Sequence, residues 1–103
     1  MDTVKKRNGF TVQIKMYGRD GNLEAPSSAV YRVDDLESGG SIRESTPLPT
    51  GHTVDLDLDA TDTDIVTAGE RVEIHRVTVT ATYGQDDYLV EEYDFKVKET
   101  PFA

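Results

Sequence analysis

Cysteine and tryptophan are absent from this chain of 103 residues, and histidine occurs only twice. Without cysteine there is no disulfide framework, no thiolate metal centre and no thiol nucleophile. No apolar run approaches the ~20 residues of a membrane-spanning helix, and the expectation is of neither a signal peptide nor a membrane segment. Cations are scarce: 11 basic residues stand against 20 acidic ones, for a net charge of -9. Such a surface repels the phosphate backbone, which argues against nucleic-acid binding. Leucine and alanine, at six each, are too few to favour helices.

What is abundant is valine (11) and threonine (12), joined by five tyrosines and three phenylalanines. β-Branched and aromatic residues suit a pleated, half-buried surface. Phe10 to Tyr17 alternates strictly, with Phe10, Val12, Ile14 and Met16 on one face. Ala29–Asp34 reads as a second strand, and the polar Ser41–Ser45 as a short edge strand before Pro47 and Pro49. His52–Asp59 places Val54, Leu56 and Leu58 inward and Asp55, Asp57 and Asp59 outward. Residues 60–68 form a polar crossover anchored by Ile65 or Val66.

Arg71–Tyr83 is the longest strand. Val72 and Ile74 share one phase and Val77, Val79 and Ala81 the other, which predicts a bulge near His75 or Arg76, or a strand bending between sheets. After a hairpin turn at residues 84–87, Tyr88–Lys98 turns Leu89, Tyr93, Phe95 and Val97 inward. The pattern predicts an all-β fold, a single Ig-like antiparallel β-sandwich of six to seven strands. Its core is expected to hold Val12, Ile14, Val33, Val54, Leu56, Val77, Val79, Tyr93 and Phe95. The organisation is a basic arm over residues 1–8, a sandwich over 9–98 and a tail over 99–103.

The arm carries Lys5, Lys6 and Arg7 against Asp2, a balance of +2 that leaves -11 for the rest of the chain. Opposite charge on arm and body suits docking on a neighbouring subunit or lattice, with Val4 as a small apolar anchor. Tyr17, Tyr83 and Tyr88 flank turns and serve equally as interface aromatics or cross-strand pairs.

Nothing in the chain spells a catalytic motif. His52 and His75 have no partner at metal-ligand spacing, no GxSxG surrounds Ser27 or Ser28, and no glycine loop precedes a helix. The expectation is of no enzyme, no cofactor and no small-molecule substrate. Asp59, Asp62 and Asp64 form a weak candidate for Ca²⁺ or Mg²⁺. An EF-hand loop starting at Asp55 fails, because Ala60 and Val66 stand where glycine and glutamate are needed.

Val30–Gly39, with Tyr31-Arg32-Val33-Asp34-Asp35-Leu36-Glu37-Ser38-Gly39 at its centre, resembles a motif of small virion structural proteins of tailed bacteriophages and prophages. In that family a Val-x-(Ile/Leu)-x-Leu strand follows, as at Val54–Leu58. An Arg-Val-Thr-Val-Thr-Ala-x-Tyr-Gly strand comes next, as at Arg76–Gly84, and then an aromatic closing strand, as at Glu92–Val97. The resemblance spans residues 10–98. It implies a non-enzymatic virion component, foremost a capsid decoration or accessory protein, with a capsid or tail lattice or further copies of itself as partners. A tail-associated Ig-like module and a carbohydrate- or cell-surface-binding sandwich are the alternatives. The absence of tryptophan weighs against a sugar platform.

Overall fold

Residues 2–18, 21–65, 72–84 and 88–99 are described in a computed structural model. Parts of the turn near residue 19, of the crossover, of the hairpin turn and of the tail lie outside them. Among the described residues there are seven strands and no helix. These are β1 (Asp2–Lys5), β2 (Phe10–Lys15), β3 (Ser28–Asp35), β4 (Ser41–Pro47), β5 (Thr53–Leu58), β6 (Val72–Thr82) and β7 (Tyr88–Lys98). They build two sheets of unequal size: five strands in the order β1-β7-β6-β3-β4, and the pair β2-β5.

The all-β, two-sheet architecture is the expected one. Alternation decides the inner faces. Val54, Leu56 and Leu58 of β5 are buried, while Asp55 and Asp57 face solvent, where Thr11 donates to Asp57 at 2.6 Å. The large sheet contributes Ala29, Tyr31, Val33, Val77, Val79, Ala81, Phe95 and Val97 to the core. Its outer face is charged: Arg76 of β6 bridges Glu92 and Asp94 of the neighbouring β7. Hydrogen bonding to Arg76 holds the Asp94 carboxyl below the usual range.

Four expectations are corrected. First, β6 has no bulge and does not change sheets. It pairs in unbroken register with β3 along Asp35↔His75 to Ser28↔Thr82, and with β7 from Val72↔Lys98 to Thr82↔Tyr88. A change of phase there would interrupt two hydrogen-bonded ladders. Instead Val72 and Ile74 point away from the core, and Glu73 and His75 point into it beside Val77, Val79 and Ala81. Second, the irregularity lies in β4, where two register shifts against β3 fit extra residues into an edge strand that runs on to Pro47. Third, Leu89 is 40% exposed. It sits on the inner face of the sheet, but the two-stranded partner does not reach over it; Val12, Ile14 and Tyr93 are likewise only half-buried.

Fourth, residues 2–5 of the arm do not leave the body. They form β1, parallel to β7 in the register Asp2↔Phe95 to Lys5↔Lys98, so the sandwich is not purely antiparallel. The physical reason is the edge of β7: an unpaired row of N–H and C=O groups is satisfied by any extended segment within reach. Lys6 N continues the pairing to Lys98 O, and Val4 packs on the core. A turn then returns the chain, with Arg7 in the left-handed region at φ 66° and Arg7 N donating to Thr63 O. At Gly9 a side chain would meet Leu58 O at 2.9 Å, so only glycine passes there comfortably.

The tyrosine hydroxyl of Tyr93 donates to the Asp2 carboxylate across β1 and β7. Burial first, and then the hydrogen bond to Asp2 and its negative charge, push the Tyr93 hydroxyl up to about 12. Because the folded value lies above the ordinary tyrosine value of about 10, its contribution to stability is complete below pH ~10. That contribution disappears as pH climbs through about 12. Burial also raises the Tyr31 hydroxyl, so ultraviolet absorbance titration should show a late phase that includes Tyr93, and Asp2→Asn should bring the Tyr93 midpoint down while leaving that of Tyr31 in place. An unchanged midpoint in Asp2→Asn would show that β1 does not hold Tyr93.

Candidate functional site

The mismatch between five strands and two opens a cleft. It lies between β2 and the β6–β7 half of the large sheet, has a volume of about 370 Å³, and is lined chiefly by Val12, Ile14, Val77, Val79, Leu89 and Tyr93. No β5 residue borders it, so it runs along the side of β2 that carries no neighbouring strand among the described residues. Backbone groups along that edge stand beside an apolar floor, which is the position a third strand of the small sheet would fill. Lys15 and Glu91 supply charge at the rim.

The expected interface tyrosines divide. Tyr17 lines the cleft and is half exposed, fixed by an isolated bridge to Leu23. Tyr88 is 67% exposed at the start of β7, opposite Thr82. Tyr83 packs partly against the core. The arm residues Lys5, Lys6 and Arg7 do not join this surface. Lys6 lies 3.8 Å from Glu99, and Arg7 lies 3.9 Å from Asp64, so the arm's charge meets carboxylates of its own chain.

The acidic loop is also partnered from within. Asp62 is fully buried, and its carboxylate accepts from Arg43 Nε at 2.6 Å and Nη2 at 3.3 Å. Asp59 accepts from the same Nη2 at 3.0 and 3.1 Å. Asp59 further accepts from the N–H groups of Thr61 and Asp62, while Asp59 N donates to Asp62. Burial opposes ionisation of Asp59, but these backbone donors and Arg43 outweigh it and draw the carboxyl below its usual value. A guanidinium therefore occupies the place considered for a cation. Asp64 turns elsewhere and caps Ile65 N at 2.9 Å.

A second polar group lies inside the core, on the inner face of β6 just before the cleft-lining Val77. Asp35, Glu73 and His75 are all fully buried, and one ligating atom from each lies within 4.8 Å of the others. The sheet builds this cluster directly. Asp35 and His75 are paired across β3 and β6, and Glu73 precedes His75 by two on the same face. His75 Nδ1 faces the Asp62 carbonyl at 2.9 Å, and Nε2 faces Glu73 Oε1 at 2.9 Å. Asp35 accepts from Ser38 Oγ at 2.8 Å and from the N–H groups of Ser38 and Glu37 at 3.3 and 3.4 Å. His52, by contrast, is exposed, with Nδ1 3.0 Å from Thr53 Oγ1.

Sequence reasoning missed this cluster. The signal was present: the phase of Val77, Val79 and Ala81, continued backwards, points Glu73 and His75 inward. Compared with known proteins, the chain matches no family model, no curated protein and no solved structure.

Proposed function

We propose that this chain is a non-enzymatic virion structural protein, a capsid decoration or accessory module, and that it binds an assembled lattice through the open cleft beside β2. The observation that carries the docking surface is the apolar cleft next to an unpaired strand edge. Its occupant is an extended segment of a lattice protein. Such a segment hydrogen-bonds along β2 and sets alternate apolar side chains on Val12, Ile14, Val77 and Leu89. Basic residues on its outward face complement a chain of net charge -9. The likeness of residues 10–98 to small phage virion proteins supplies the lattice.

The test is co-sedimentation of the full chain with particles assembled from the same genome but lacking this protein. The intact chain should bind, and Leu89→Asp should weaken binding by more than ~10-fold, because a carboxylate there is desolvated without a partner. Leu89 is exposed, so the substitution spares the fold. Apolar contact is little screened by salt, so occupancy should persist as ionic strength rises. Equal occupancy for Leu89→Asp rejects the cleft. Failure of the intact chain to join any particle rejects the virion assignment.

A further inference from the structure

We infer that Asp35, Glu73 and His75 form a binding site for a divalent cation of the zinc class. The inference concerns buried side chains that do not line the cleft, and it stands or falls separately from the assembly role.

Hydrogen-bond bookkeeping sets the proton count of the cluster. A carbonyl oxygen only accepts, so the contact with Asp62 O requires a hydrogen on His75 Nδ1. The contact between Nε2 and Glu73 Oε1 requires one more proton, shared between imidazole and carboxyl. Asp35 acts only as acceptor toward Glu37, Ser38 and the Ser38 hydroxyl, the pattern of an ionised carboxylate. The three side chains with that shared proton sum to one negative charge. Exchanging the proton for a divalent ion leaves two carboxylates, one neutral imidazole and a 2+ ion, which sum to zero. That exchange releases one proton for each ion bound.

The orientation of His75 also suits a ligand. Histidines that bind metals donate the other ring N–H to a carbonyl or carboxylate, which fixes the tautomer and raises the basicity of the ligating nitrogen. Nδ1–H to Asp62 O does this and directs Nε2 toward Glu73. Metal–ligand distances near 2.0–2.1 Å place tetrahedral ligands roughly 3.3 Å apart. The 2.9 Å contact between Nε2 and Oε1 therefore needs to widen by only a few tenths of an ångström. One nitrogen and two carboxylates suit zinc and its neighbours; Ca²⁺ requires six to eight oxygens.

The experiment is titration of the chelator-treated full chain with Zn²⁺ by calorimetry in buffers of different ionisation enthalpy, together with thermal melts. One ion per chain should bind, about one proton should be released, and Tm should rise with free Zn²⁺. The chain has two histidines, so imidazole NMR resonances should show His75 perturbed and His52 untouched. Glu73→Gln retains the side-chain volume and an amide N–H for Nε2, and it should bind Zn²⁺ more than ~10-fold more weakly. His52→Ala should bind as the parent does. No binding by the parent overturns the inference. So does binding that survives Glu73→Gln, that is lost in His52→Ala, or that shifts His52 instead of His75.

Discussion

Replacement of Phe95 by alanine should remove about 3–5 kcal/mol of stability. Phe95 is fully buried in β7 and is the ring on which the two sheets meet. Phe10 of the small sheet packs edge-on against it at 5.1 Å, His75 at 5.5 Å, and Tyr93 stacks alongside at 6.3 Å. A ring at 0% exposure leaves a cavity that the surrounding core closes only in part. A domain of this size has about 5–15 kcal/mol in total, so the loss is a large fraction of it. The corresponding fall in Tm exceeds about 10 °C. Urea unfolding followed by circular dichroism measures it. Leu89→Ala, on the uncovered part of the same strand, should cost far less. Comparable losses at both positions would contradict the cleft, because they would require Leu89 to be covered.

The contrast between Phe95 and Leu89 shows what was legible in the residues. Both fall on the inward phase of β7, and alternation assigns them equally to the core. Phase identifies a face of a sheet; it does not report whether another layer lies over that face. That depends on how many strands the second sheet contains, and no local pattern specifies this number. The strands, their faces and most of the core followed from alternation, because each depends on residues two apart. The partnering of β1 did not. A four-residue segment with one apolar side chain carries no periodicity, and it pairs because β7 offers an edge. The Asp35–Glu73–His75 cluster was hidden for a different reason. Polar residues are ordinarily assigned outward, and their mutual satisfaction becomes visible only once Asp35 and His75 are known to be opposite each other. Asp59, Asp62 and Asp64 were legible as a cluster but not as counter-ions, because Arg43 reaches Asp59 and Asp62 from the bulged edge strand β4 and Arg7 reaches Asp64 from the turn after β1.

Arg43 should be the most consequential charged residue of the fold. Its guanidinium is 26% exposed, while the Asp62 side chain that it holds is at 0%. Hydrogen bonding to Asp62, the largest influence, holds the Arg43 proton more tightly than in a free side chain. Removing the guanidinium strands a carboxylate away from water, and breaking a buried pair from one side costs about 3–5 kcal/mol. Arg43→Met, which keeps most of the stem, should show that loss in urea unfolding. Asp62→Asn should cost less, since the partly exposed guanidinium keeps Asp59 and solvent. The double variant Arg43→Met/Asp62→Asn should recover much of the loss from Arg43→Met, because no buried charge is then left unpaired. Strict additivity would show that the pair is not energetically coupled. The consequences extend past the ion pair. The Asp62 backbone carbonyl accepts from His75 Nδ1, so Arg43 holds the loop that orients the imidazole. Arg43→Met should therefore also shift the His75 imidazole resonances while leaving those of the exposed His52 in place.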